Sequence, residues 1–240
     1  MFNKIMTTTT PYGRLGNQII RNLAVSLLAE KNNLLVDYCS HKEILDLGIT
    51  LFSGTQKFTT TIALTDENYF TLYNKQITSN VDPNRHFFQT KEIIDLLYNH
   101  LQIMKSQIIQ KNPFKERYHE NNDVFVHIRL TDVAHFNPGL DYYLKAISKI
   151  SFGKLYISSD DIDHFIVKQI ALKYHTKIIK YNEIKTIQFA STCKHIILSH
   201  GSFSAIIGYL AFFSTIYYPK YEKDKMWYGD MFSISDWNML

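Results

Sequence analysis

Residues 124–132 read VFVHIRLTD, and the organisation of the chain follows from them. Strand side chains alternate between faces, so Val124, Val126, Ile128 and Leu130 point one way and Phe125, His127, Arg129 and Thr131 the other. The apolar run predicts a buried strand, with an imidazole and a guanidinium sharing one face. A guanidinium is costly to bury unless its planar fork of donors meets an anion, and that fork matches a phosphate or carboxylate. Either an acidic ligand or a structural ion pair to Asp132 or Asp160 would meet the need.

Strand and helix alternate on both sides of this stretch. After it, a loop holding Asn137, Pro138 and Gly139 leads to a helix from Asp141, and strand 154–158 ends in SSDD before a helix over 161–175. Strand 176–181 precedes a brief helix near 187–191, and strand 194–199 turns through His200 and Gly201 into a helix over 202–213. Before it, a strand over 4–10 and the loop PYGRLGNQ lead to a helix with Ile19, Ile20, Leu23, Ala24, Leu27 and Leu28 at helical spacing. Gln18, Arg21, Asn22 and Glu30 take its other faces, and a strand over 34–38 follows. Strand, helix, strand is the unit of a parallel sheet. Residues 41–85 are mixed and irregular, whereas 90–110 predict a helix with Thr90 as N-cap and Ile93, Ile94, Leu97, Leu101, Met104 and Ile108 on one face. The polar stretch 112–123, NPFKERYHENND, marks the boundary between an N-terminal α/β domain, 1–115, and a C-terminal one, 116–240.

Composition narrows the function. With 240 residues, 45% apolar and 20% charged, the chain builds a substantial core. The net charge of +4 comes without a run of five or six Lys or Arg, so an anionic small molecule fits better than nucleic acid. Cys39 and Cys193 are the only thiols, too few and too distant for a disulfide framework or a metal cluster, and both read as reduced core residues. The first residues lack the apolar region of a signal peptide, and the longest apolar run, 205–218, falls short of the roughly 20 residues that cross a bilayer. The expectation is a soluble, cytoplasmic protein without a transmembrane segment, with peripheral membrane association left open. The ten His residues show no metal-ligand spacing.

In open α/β sheets, ligands bind beyond the carboxyl ends of the strands, where loops feed into helix starts. GRLGNQ, HIRLTD and SHGSFS all fall at such ends, and the first and last offer a glycine and helix N–H groups that favour phosphate. Each has a plainer alternative. Gly13 and Gly16 suit a tight turn, Asn17 and Gln18 suit loop carbonyls, Ser202 and Ser204 suit helix caps, and Asp160 and Asp161 suit a helix start.

The motifs GRLGNQ, VHIRLTD, YYLKAI, LYISSDD and FASTCKHIILSHGSFSAIIGYLAFF, followed by YYPK, resemble the α-1,2-fucosyltransferase family in order and spacing. The resemblance implies two Rossmann-like domains facing a central cleft (GT-B type), with the N-terminal domain on the acceptor side and the C-terminal one binding the nucleotide sugar. It implies an inverting, metal-independent transferase that moves L-fucose from GDP-fucose to a hydroxyl of a glycan such as a galactoside. Arg129 then corresponds to the arginine that binds the donor diphosphate, with His127 as its partner. Ser202, Phe203 and Ser204 correspond to the cluster at phosphate and nucleotide. Ser158, Asp160 and Asp161 lie at the nucleotide end, and Gly13, Arg14, Gly16, Asn17 and Gln18 form the loop facing the cleft. The adjacency of Asp160 and Asp161 differs from the alternate spacing of a metal-binding DxD, leaving Arg129 and helix N–H groups to stabilise the leaving diphosphate. Asp132 or His127 is the base by position. The family reads HIRRGD where this chain has HIRLTD, and has an asparagine and two tryptophans where this chain has His200, Ala205 and Ile206. These departures admit another donor such as UDP-xylose, or a non-catalytic nucleotide-sugar or glycan-binding module.

Overall fold

The computed structural model describes residues 6–221 and 230–240. In chain order the elements are β1 Thr7–Thr8, α1 Leu15–Asn32, β2 Val36–Asp37, α2 His41–Asp46, β3 Thr61–Ala63, α3 Tyr69–Tyr73 and β4 Asn80–Asp82. Two helices follow, α4 Lys91–Ile103 and α5 Lys105–Lys111. The remainder is β5 Val124–Ile128, α6 Leu140–Ser148, β6 Leu155–Ser159, α7 Phe165–Lys173, β7 Thr176–Ile178, α8 Glu183–Ala190, β8 His195–Ile197, α9 Ser202–Tyr209, β9 Thr215–Tyr218 and β10 Asn238–Met239.

Residues 124–128 of VFVHIRLTD form the central strand. β5 pairs in parallel with β6 on one side and β8 on the other, within a sheet ordered β10-β9-β8-β5-β6-β7. Counted from β5 as the first strand, that is the order 3-2-1-4-5-6 of a doubly wound nucleotide-binding sheet. The chain runs outward through β6 and β7, then crosses back to β8, so the order reverses between β5 and β8. Strand alternation divides the core accordingly. Val124, Val126 and Ile128 pack with α6 and α7 residues such as Tyr143, Ile147 and Ile170. Phe125 packs on the opposite face with Phe189, Ile206 and Ile20.

The N-terminal half adds the parallel pairs β1-β2 and β3-β4, and the Val81 N–H donates to Thr7 Oγ1 at 3.0 Å, bringing β4 beside β1. β1 and β2 are shorter than the strands expected over 4–10 and 34–38, and residues 4 and 5 lie outside the described residues. Helix α1 is buried nearly all round, including faces that carry polar residues. Arg21 and Asn22 are fully buried, and the Arg21 fork is satisfied by the carbonyls of Thr10, Asn84 and His86 at 2.5–2.9 Å. The helix expected over 90–110 breaks at Met104, whose backbone lies at φ −81°, ψ −1°, although Ile93, Ile94, Leu97, Leu101 and Ile108 keep one buried face.

Residues 112–123 are pinned in place. Asn112 donates to the Gln188 carbonyl at 2.8 Å, Asn121 to that of Thr192 at 3.0 Å, and Arg117 pairs with Asp123 at 2.8 Å. A single apolar cluster runs from Leu15 in α1 to Trp237, spanning both halves. Cys193 is buried and Cys39 partly so, and both are free thiols. Among the described residues no helix is long and apolar enough to cross a membrane.

Candidate active site

The carboxyl ends of β5 and β8, where the strand order reverses, open on two adjoining chambers that share Arg14, Arg129 and Phe203. The first is lined further by His127, Ser158, Ser159, Asp160, Tyr181, Glu183 and Thr186. The second reaches toward the N-terminal half and takes in Tyr12, Gly13, Asn17, Phe87, Asp132, Gly201 and Ser202.

Arg129 stands just past the end of β5, and its backbone is fixed on every side. Its N–H donates to Ser199 Oγ at 3.3 Å, and its carbonyl accepts from Asn137 Nδ2 at 2.9 Å. The next N–H, that of Leu130, donates to Asp160 Oδ1 at 2.7 Å, and Thr131 Oγ1 donates to Asp160 Oδ2 at 2.6 Å. Leu130 turns into the core beneath α6 and α7, while Thr131 fastens the loop to β6. The guanidinium, 13% exposed, gives both bonds of Nη2 to Asp132, at 2.8 and 3.0 Å, and leaves a buried Nε without a partner. The expected ion pair therefore exists, with Asp132 rather than Asp160.

Arg14 reaches the same group from the other half of the chain. It lies 3.4 Å from Asp132 and 3.7 Å from Asp160, so two guanidiniums and two carboxylates converge. Burial works against charge on Asp132, but Arg129 and Arg14 outweigh it and hold the carboxyl below its ordinary value. For Asp160, burial is likewise outweighed, here by the hydroxyl and N–H donors of Thr131 and Leu130. Both are ionised at neutral pH.

His127 lies deeper. Its Nδ1 meets Ser204 Oγ at 2.6 Å, and Ser204 Oγ also accepts the Ser199 N–H at 3.1 Å. Burial, with a smaller contribution from Arg129, drives the imidazole down to about 3, so it is neutral and a weak base. Its ring leans on Phe203 at 5.2 Å between centroids.

Helix α9 begins at this junction. Its N-cap is Gly201, at φ +87°, a conformation that glycine adopts without strain, and no side chain caps the helix. Ser202 lines the second chamber, whereas Ser204 is committed to His127, so neither serves as the cap that their sequence position suggests. The helix start, where first-turn N–H groups lack intrahelical partners and the dipole is positive, lines the second chamber together with Arg14 and Arg129.

Three residues expected at the donor do not line either chamber. Gly16 serves helix packing: a Cβ there would lie 2.5 Å from the Phe203 nitrogen, so it lets α1 touch the start of α9. Ser204 is fully buried. Asp161 folds back on its own loop, where Oδ1 accepts the Asp163 N–H at 3.1 Å, and α7 begins only at Phe165 with His164 as its cap, so neither aspartate is a helix-start carboxylate. Gln18 donates to the Gly13 carbonyl at 2.8 Å, satisfying the loop. Asn17 Oδ1 accepts from Gln89 at 2.8 Å, which leaves its NH₂ as the group available to the second chamber.

Tyr181, Glu183 and Thr186 are site residues that sequence reasoning passed over. Tyr181 and Glu183 follow the carboxyl end of β7 and Thr186 lies within the start of α8, so the strand-end rule that singles out SSDD extends to YNE at 181–183. Among the described residues no group of three or more His, Cys, Asp or Glu is arranged to hold a metal ion.

The fold has solved counterparts. It is similar to the crystal structure of NodZ α-1,6-fucosyltransferase co-crystallised with GDP, at 12% identity over 89% of this chain and 94% of that one, with a TM-score of 0.52. It is also similar to E. coli heptosyltransferase WaaC with ADP-2-deoxy-2-fluoro heptose, at 9% identity over 98% and 92% of the two chains, again with a TM-score of 0.52. No protein-family model and no curated protein matches the sequence. The chain thus has the α/β fold with parallel sheets of GT-B glycosyltransferases, and at these identities the likeness is one of fold.

Proposed function

We propose that this chain, with the fold of GT-B glycosyltransferases, is an inverting glycosyltransferase. Its donor is a sugar linked to a nucleoside diphosphate, with GDP-fucose the leading candidate and a glycan hydroxyl the acceptor, in keeping with the α-1,2-fucosyltransferase resemblance. The observation that carries the proposal is the convergence of Arg129, Arg14 and the open start of α9 where the strand order reverses. Such a cluster suits a diphosphate, whose charge grows as the bond to the sugar breaks, and the pinned backbone around Arg129 keeps the donors in place without reorganisation. These groups act without a metal ion. Asp132, 49% exposed, fills the arginines in the free protein, and diphosphate competes with it for them. Released toward the second chamber, Asp132 accepts the proton of the acceptor hydroxyl as the sugar–oxygen bond forms on the face opposite the departing diphosphate. His127 positions Ser204 and Phe203.

The first chamber receives the nucleoside. Glu183, which lines this chamber, offers a carboxylate to a base edge with adjacent N–H donors, which guanine has and uracil lacks. Asp160, at the nucleotide end, is already engaged by Leu130 and Thr131, so the base-reading role falls to Glu183. UDP-xylose, which the altered HIRLTD admits, lacks that complementarity.

A thermal-shift screen of GDP, UDP and CDP tests the assignment, since a ligand that binds only the folded state raises its stability. GDP is expected to raise the melting temperature most, and Arg129→Ala to abolish the shift while leaving the circular dichroism unchanged. A UDP-specific shift would overturn guanine. An unchanged GDP shift in Arg129→Ala would overturn the diphosphate site.

A further inference from the structure

The second chamber has one wall that the diphosphate chemistry leaves unused. Tyr12, in the loop after β1, and Phe87, in the loop after β4, stack at 4.9 Å between ring centroids with planes 25° apart, and both line the chamber. Two loops from separate parts of the sequence are thereby joined at the mouth of the site.

The pair rests on a built foundation. Fully buried Arg21 donates from Nη1 to the Thr10 carbonyl, two residues before Tyr12, and from Nη2 and Nε to the carbonyls of Asn84 and His86, just before Phe87. Its guanidinium also lies over the Tyr12 ring at 5.4 Å. The backbone after Phe87 is strained: Phe88, buried and bulky, adopts φ +56°. A non-glycine residue in the left-handed region is strained and persists only where its surroundings demand it. Here the turn sends Phe88 into the core and leaves Phe87 on the chamber wall.

Polar groups flank the aromatic wall. The Asn17 amide is oriented by Gln89 so that its NH₂ is the group left for the chamber, and the half-exposed Asp132 carboxylate lies beyond it. An aromatic face beside a few fixed polar groups matches a pyranose ring, which presents a face of C–H bonds and an equatorial girdle of hydroxyls. We infer that Phe87, backed by the stacked Tyr12, forms a stacking platform for a pyranoside acceptor, with Asn17 donating to a ring hydroxyl and the reacting hydroxyl turned toward Asp132. The inference rests on the glycosyltransferase proposal above and assigns the acceptor class to the second chamber.

Saturation-transfer NMR on the full chain tests it, with methyl β-D-galactopyranoside, methyl β-D-glucopyranoside and methyl β-D-xylopyranoside as probes and acyclic galactitol as control, with and without GDP. At least one pyranoside is expected to receive transfer chiefly through the protons of one ring face, and galactitol none. Phe87→Leu, which keeps the bulk without the ring, is expected to weaken that pyranoside by about tenfold, with Phe87→Tyr near the parent value and GDP affinity unchanged in both. Failure of every pyranoside to bind, or equal binding by Phe87→Leu, would overturn the platform even where GDP binds normally. If the pyranosides behave as stated and GDP fails to bind the parent protein, the donor assignment falls and the platform stands.

Discussion

His127, in β5, and Arg129, just past its end, sit two residues apart yet meet different surroundings. His127 is sealed between β5 and α9 and loses its charge, whereas Arg129 emerges past the strand end and keeps both a carboxylate partner and an unsatisfied Nε. The difference has a measurable consequence. Burial, the largest influence, lowers His127 to about 3, and burial together with nearby Arg129 lowers His200 to about 4, from an ordinary value of 6.5. The unfolded chain therefore binds more protons than the folded one below pH 6.5. The stability from holding these rings neutral is fully present above that pH and is lost as pH falls toward the folded values. Each ring contributes a slope of up to about 1.4 kcal/mol per pH unit within its window. Denaturant titrations at pH 7, 5.5 and 4.5 are expected to show stability falling with acidification, and less steeply in His127→Gln. Parallel profiles for the two proteins would contradict the sealed, neutral imidazole. The shared face of His127 and Arg129 was legible from strand alternation. That Asp160 would staple Leu130 and Thr131 was not, because their pairing depends on the register of β5 against β6.

Among the elements, the contact between α1 and α9 governs the site. Gly16 packs against the backbone of Ser202 and Phe203, so the loop bearing Arg14 and the helix start proposed to hold phosphate are one rigid junction. Gly16→Ala would put a methyl group 2.5 Å from the Phe203 nitrogen, too close to accommodate without moving a helix. Overpacking of this kind costs typically 1–3 kcal/mol. Equilibrium urea unfolding is expected to register such a loss, and GDP affinity to fall with it. Gly153→Ala is the control, since its added Cβ would meet Asp123 Oδ1 at an ordinary 3.4 Å. Equal behaviour of the two variants would contradict the junction. Periodicity revealed α1 and α4, but it could not reveal that α1 is enclosed by both halves, so that Arg21 and Asn22, off the apolar stripe, are buried as well. The β7–α8 turn was overlooked because Tyr181 and Glu183 carry no motif of their own and enter the site only through sheet order.

Over the whole molecule, one topological fact unites these observations. Reversal of strand order beside β5 gathers the ends of β5, β6, β7 and β8 around a common cleft, and the N-terminal half closes it with Arg14, Asn17, Tyr12 and Phe87. The alternation of strand and helix in the second half was legible because each element there is short and regularly patterned. The first half was less so, since its strands span two or three residues and are held by side-chain bonds such as Val81 to Thr7. The polar stretch 112–123 reads as a linker by composition, yet Asn112, Arg117 and Asn121 tie it to the residues around the end of α8. The proposed function requires this cleft to break the bond between a sugar and a nucleoside diphosphate. Incubating the purified protein with GDP-fucose and a galactoside acceptor, and following release of GDP together with the anomeric configuration of the product by NMR, tests it most directly. Stoichiometric GDP and inverted glycoside, both lost in Arg129→Ala, are the expected result; tight binding of GDP-fucose without turnover across a broad acceptor panel would contradict it.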